Sequence, residues 1–474
     1  MGERSTKLLP ILVLAILCGG SIVVARNTPA YFSNPSYLGA LLFLQLLVAA
    51  LWTFRVTFFG FLMLGFVWAG VDVPMSEPWT MARWITLAVG ALIGCVLVMQ
   101  DRQRRFRVFH LVAFFCVMGA VASALVSGYP QTALLKAGSL LLLFLYGSSG
   151  GRLAIHGRET SFFPGLLLSC EFITYGTTVA YFVLGSKIWG NPNSLGAVMG
   201  VVVAPLLFWG ILILPAPTVR WRRSFAFLLS MILLFYSVSR ASIIAALFSM
   251  FLMCVVLRRQ KLLAQGAILS LFLLAAFAIF GPRDVANFSA STSDLVYKGH
   301  HESGVLGSRK SPWQQTMSVI SEHPWFGSGF GTSPSGKDQG GPGLYASNTE
   351  INREHGSSYL AILEWVGLIG IVPFVFLLIL LLRQIGHALA SLRNSPQPPY
   401  AAVPILLILI GGLVHAAFED WLFAVGYYLT VFFWTFAFVL FDVCSVPERS
   451  TAASSISRPI VIQQPPLLAP AQSR

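Results

Sequence analysis

Long apolar runs separated by short polar breaks fill most of this chain. Runs at 8–25, 38–52, 56–71, 82–99, 108–126, 133–146, 162–184, 195–214, 262–280, 359–382, 402–418 and 421–441 read as transmembrane helices, and 225–236 with 241–257 reads as a tight helical hairpin. Several are shorter than the roughly 20 residues that a straight span needs. The pattern predicts an all-α, polytopic membrane helix bundle of about 12–14 transmembrane helices. One long polar segment, 281–356, interrupts it. The expected organisation is an N-terminal bundle at 1–280, an extramembrane loop at 281–356, a C-terminal bundle at 357–441 and a disordered tail at 442–474, rich in Pro, Ser and Ala. The basic head before residue 8 resembles a signal peptide, but no small-x-small cleavage site follows, so 8–25 reads as the first span.

Composition agrees. Of 474 residues only 10% are charged, against about 25% in soluble domains. Hydrophobic residues make up 56%, and mean hydropathy is +0.75. An ordinary cytosolic enzyme, a disordered chain and a disulfide scaffold are excluded. The six cysteines form no CxxC pair, so neither a disulfide nor a zinc site is expected.

A net charge of +13 would suit nucleic acid, but its distribution does not. Arg102, Arg104, Arg105 and Arg107, then Arg220, Arg222 and Arg223, then Arg258, Arg259 and Lys261 sit in short clusters between apolar runs. That is the positive-inside pattern of membrane proteins. With both termini inside, these clusters, Arg55, Arg152, Arg158, Arg383 and Arg393 all fall inside, and 281–356 falls outside. A loop of this length is usually functional.

Four places on the outer side could carry chemistry. Ser239-Arg240 lies at the hairpin tip; a charge there is costly unless paired, snorkelling or functional. The stretch from Trp189 to Gly196 contains Asn191-Pro192-Asn193. It suits a helix start, and with Lys187 it also suits a sugar or phosphate. Arg309 to Thr332 holds a glycine-rich Gly327/Gly329/Gly331 loop, which reads either as an interfacial turn or as backbone amides near a phosphate. His355, flanked by Arg353 and Glu354, precedes a membrane-entering helix whose dipole should keep the imidazole neutral and able to accept a hydroxyl proton. Glu364, farther along that helix, should face the bundle interior.

In this order the four features resemble the O-antigen ligase and polymerase superfamily of bacterial envelope glycosyltransferases. The matches are Asn191–Asn193, Ser239-Arg240, Arg309 with Trp313, His323–Thr332, and His355 through Gly370. The resemblance implies an enzyme of the bacterial inner membrane, active on the periplasmic face. The donor would be a glycan on undecaprenyl diphosphate, and the acceptor a hydroxyl on a lipid- or glycan-linked partner. Arg240 and Arg309 would clamp the diphosphate, helped by Lys187, Asn191 and Asn193. His355, with Glu354, would be the catalytic base. No cofactor and no metal are expected, since no Asp-x-Asp cluster is present. The chain departs from the family where Gly356 follows His355, one residue farther from Gly367. Either His355 acts from a shifted register, or Glu354, Ser357 or Ser358 shares its task. A transporter or flippase of lipid-linked intermediates is the alternative, best suited by Glu171, His415, Glu419 and Asp420. A non-catalytic scaffold is a third reading.

Overall fold

In lipid an apolar run must satisfy its own backbone hydrogen bonds. Every regular element among the described residues is accordingly helical. The structure, a computed structural model, describes residues 55–71, 76–100, 107–213, 217–266, 307–333, 353–394 and 401–443, with a few isolated positions before 55. The helices used below are α1 (Arg55–Gly70), α2 (Ser76–Gln100), α3 (Val108–Val126), α4 (Pro130–Ile155), α5 (Glu159–Val183), α6 (Pro192–Leu212), α7 (Pro217–Tyr236), α8 (Arg240–Val256), α9 (Gly307–Glu322), α10 (Ser358–Asn394), α11 (Ala402–Ala416) and α12 (Tyr428–Val443). Six described helices, α2 to α6 and α10, are long and apolar enough to cross a membrane. With shorter apolar helices such as α8, α11 and α12 they form a polytopic membrane helix bundle. α11 and α12 are buried nearly all round and make its centre. The expected spans at 8–25, 38–52 and 262–280 lie wholly or mostly outside the described residues, as does the tail. The 281–356 segment is described only at 307–333 and from 353 on.

The 225–257 hairpin stands as expected, turning at 237–239. Two boundaries differ. The 133–146 span continues through a π-helical turn, Gly147–Gly151, to Ile155. Its glycines serve close packing rather than a turn: a Cβ on Gly150 would collide with the Tyr146 ring and the Gly90 carbonyl. The expected span 421–441 begins only at Tyr428, because 417–427 folds as a turn-rich segment. Trp421, Leu422 and Phe423 are apolar because the segment is buried. The Trp434 indole donates to Leu422 O at 2.7 Å, and Thr430 Oγ1 donates to Trp421 O at 2.6 Å. Hydropathy alone does not distinguish such a segment from the start of a helix.

The two ends of the bundle differ chemically. α7 starts with Arg220, Arg222 and Arg223 and ends at the 237–239 turn; α8 runs back from Arg240 toward Arg258. α10 runs from Ser358 to Arg393, and α12 from Tyr428 toward Asp442. The basic clusters therefore share the end opposite the hairpin tip, His355 and 417–427. There Arg152 grips Asp442 in a two-point ion pair. Glu171, best suited to a transporter, is buried and held by Arg222 at 2.7 Å and Arg223 at 3.5 Å. A carboxylate pinned by two guanidiniums ties α5 to α7 and makes a poor mobile ion carrier.

Candidate functional site

At the other end, the start of α6, the 353–357 segment leading into α10, the end of α11 and 417–427 line a cavity of about 380 Å³. α9 and the α7–α8 hairpin stand against this wall, through bonds of Arg309 to Glu354 and Glu419 and of Ser242 to His415. The wall includes Asn191, Asn193, Glu354, His415, Glu419, Asp420 and Tyr427.

Asn191 caps α6: its Oδ1 accepts from Asn193 N at 2.8 Å, with Pro192 in the first turn, where its missing N–H costs nothing. Both asparagines line the cavity. Lys187 is exposed and is not among the lining residues.

The hairpin tip is held in a strained conformation. Val238 has φ 51°, a region that a β-branched residue rarely occupies and that costs about 1–3 kcal/mol. A buried relay keeps it there. Trp421 Nε1 donates to His415 Nδ1 at 2.7 Å, so His415 Nε2 carries the hydrogen and donates to Ser242 Oγ at 3.0 Å. Ser242 in turn meets Ser239 at 2.8 Å. Arg240 follows directly on this tip, within Coulombic reach of Arg309.

Arg309, on α9, extends its guanidinium between two carboxylates: Nη1 donates to Glu354 Oε1 and Nη2 to Glu419 Oε1. Burial pushes the Glu419 carboxyl up to about 7, against the pull of Arg309 and with added repulsion from Glu354 and Asp420. The segment carrying Glu419 is docked by its backbone. Its carbonyl accepts from Ser358 N at 3.0 Å and Ser358 Oγ at 2.6 Å, and Leu422 N donates to Ser358 Oγ at 3.0 Å.

His355 is 2% exposed and lies behind the cavity wall. Asp420 Oδ2 accepts from its backbone N and from Nδ1, each at 2.9 Å. Nε2 meets Ser333 Oγ at 2.6 Å and Glu364 Oε1 at 3.3 Å. Ser333 also accepts from the Trp365 indole at 2.9 Å. Glu364 is fully buried, as expected, and its other oxygen takes Arg353. Arg353 also reaches Thr316 Oγ1 at 2.9 Å. Burial works against charging this imidazole, but the hydrogen bonds and charges of Asp420 and Glu364 outweigh it and raise the pKa. Burial likewise works against the Asp420 carboxylate, yet its bonds to His355 lower the pKa. Where the helix dipole alone would favour a neutral imidazole, the two carboxylates facing the ring favour its protonated form.

The glycine-rich loop commits the amides of Gly327, Ser328 and Gly329 to bonds within the protein. Ser328 N donates to Glu364 O at 2.9 Å, Gly329 N to Trp365 O at 3.2 Å, and Leu368 N to Pro324 O at 2.8 Å. These bonds stitch the loop into a break in α10, where Gly367 has φ 65° and ψ −173°. Cβ atoms on Gly327 or Gly367 would strike the opposing backbone at 2.5 Å. Trp325 and Phe326 stay exposed, as an interfacial turn requires.

Residues 225–375 match the family model described as O-antigen ligase. These residues resemble an O-antigen ligase domain. The match spans about a third of the chain and supports a likeness to the O-antigen ligase/polymerase superfamily, and with the membrane-spanning helices it fits a membrane protein of polysaccharide biosynthesis. A search of curated proteins found no match. The matched residues include Arg240, Arg309, Glu354, His355 and Glu364. Asn191, Asn193, His415, Glu419 and Asp420 reach the site from outside the matched residues. The sequence offered Glu419 and Asp420 as adjacent polar residues at a span boundary. It gave no sign that Ser333 and Asp420 would bracket His355.

Proposed function

We propose that the protein moves a glycan from undecaprenyl diphosphate to an acceptor hydroxyl on the periplasmic face, as an O-antigen ligase or polymerase does. The observation that carries this reading is Arg309, bonded to two carboxylates of the polar cavity's wall, with Arg240 within Coulombic reach of it. Two guanidiniums supply the bidentate donors and the charge that a departing lipid diphosphate needs. The cavity lies opposite the basic clusters, which the positive-inside rule puts in the cytoplasm. In an otherwise cysteine-free chain, Ser321→Cys should react with a membrane-impermeant thiol reagent in whole cells and Ser391→Cys should not. The reverse pattern would turn the site to the cytoplasm.

An apolar groove of about 640 Å³ supports a lipid-linked donor. It runs between α1, α5, α6 and α12, past Phe59, Phe162 and Phe172, to Trp189 and Tyr428. Tyr428 Oη donates to Ser194 O at 3.1 Å and pairs with Tyr427 Oη at 2.9 Å. Ser194 and Tyr427 line the polar cavity, so groove and cavity share a wall. A polyprenyl chain in the groove would deliver its diphosphate beside Arg309. Gly165 lines the groove with nothing within 4 Å of a Cβ placed there. Gly165→Phe should fill it and weaken binding of a C55 prenyl diphosphate about tenfold, the worth of roughly two buried CH₂ groups. Farnesyl diphosphate should bind as before. Equal weakening of both would place the chain elsewhere.

A further inference from the structure

We propose that Glu419 is the general base of the transfer and that Arg309 holds it in reserve until the donor's diphosphate arrives, a role that rests on the diphosphate reading above. The fork of Arg309 is filled by one oxygen of Glu354 and one of Glu419. A diphosphate offers the same two-oxygen geometry with more charge, and Arg240 beside Arg309 adds to its attraction. Donor binding therefore competes with the carboxylates and frees them into the cavity where the acceptor hydroxyl must lie.

Of the acidic side chains on the cavity wall, Glu419 is the one suited to take a proton. Glu354 is 59% exposed and screened by water. Asp420 is committed twice to His355. His355 has both ring nitrogens engaged and does not line the cavity. Glu419 is 15% exposed, and its segment hangs on its carbonyl, not its carboxylate. The groups that act on Glu419 are Arg309 on α9, Glu354 before α10 and Asp420 beside it. Burial brings its carboxyl to about 7 against the pull of Arg309, close to neutral pH, where a general base works best, and release from Arg309 strengthens it as a base.

In the step, the acceptor O–H bond breaks and its proton passes to Glu419. The acceptor oxygen bonds to the anomeric carbon, and the bond from that carbon to the diphosphate oxygen breaks. The electron pair leaves with the polyprenyl diphosphate, held by Arg240 and Arg309. Departure of the product lets Glu419 return its proton to solvent and pair again with Arg309.

The test uses the full chain in lipid nanodiscs, wild type against Glu419→Gln. Farnesyl diphosphate binding is measured by calorimetry. Turnover is measured with the lipid-linked glycan fraction of the producing cell's membranes as donor and acceptor. Losing the competing carboxylate should tighten farnesyl diphosphate binding about fivefold, the scale of one ion pair. Turnover should fall about 10²–10⁴-fold. Glu419→Asp, which keeps a carboxylate, should recover part of the rate. Weaker binding together with lost turnover would make Glu419 a structural residue and overturn the proposal. So would turnover within threefold of wild type. Failure of the wild type to bind farnesyl diphosphate would instead overturn the diphosphate reading itself.

Discussion

Arg309→Ala should lower glycan transfer about a thousandfold, the scale of removing a preorganised donor to developing charge, in protein that still inserts and folds. Arg309 sits on α9 with its guanidinium bonded to Glu354 and Glu419 of the cavity wall. On the proposed reading, removing it takes away the group aimed at the leaving diphosphate and leaves two carboxylates facing that charge. Arg240→Ala should have a similar effect, because Arg240 is the second cation at the same place, on a tip whose strain at Val238 the His415–Ser242–Ser239 relay maintains. Lys at either position should restore little, since a point charge does not replace a planar fork. Transfer rates in nanodiscs, with abundance checked by gel filtration, measure this. Near-wild-type activity in either Ala variant would make that arginine a structural ion-pair partner.

The second large effect lies behind the cavity. His355→Gln should loosen the docking of 417–427 by about 3 kcal/mol, as removal of one member of a buried ionic pair does. Turnover should fall with it, because Glu419 and Asp420 ride on that segment. Linkage gives the pH dependence its sign. The folded pKa of His355 is raised, so its contribution is complete below about 6.5 and is lost as pH rises through the folded value. The folded pKa of Asp420 is lowered, so its contribution is complete above about 3.9 and is lost as pH falls through the folded value. Amide protection in 417–427, taken relative to the intrinsic exchange rate at each pH, should therefore be greatest between about pH 4 and 6.5. His355→Gln should flatten the alkaline limb and Asp420→Asn the acid one. Exchange in His355→Gln that matches wild type at every pH would detach the segment from this pair.

The bundle and the hairpin tip were legible because each depends on local pattern. An arginine that interrupts an apolar run, as Arg240 does, marks a helix end wherever the rest of the chain goes. The 417–427 segment was hidden for the same reason. Trp421, Leu422 and Phe423 read as the start of a span, although their apolarity belongs to a folded-back segment. The His355–Asp420 pair joins residues 65 positions apart and is a product of tertiary packing. The glycine-rich loop was visible as a motif, but its partner, the break at Gly367, lies inside what reads as one continuous helix. Lys187 was drawn into the site by nearness in sequence to Asn191; the structure leaves it exposed and off the cavity wall.

The reaction proposed for this cavity is cleavage of a lipid diphosphate linkage with transfer of the glycan to a hydroxyl. The most direct measurement follows undecaprenyl diphosphate and glycan product together, in nanodiscs that hold the purified protein and the lipid-linked glycan. One undecaprenyl diphosphate should be released per glycan transferred, and both should disappear together in Arg309→Ala. Movement of intact lipid-linked glycan in proteoliposomes without release of undecaprenyl diphosphate would contradict the account and make the protein a carrier of its substrate.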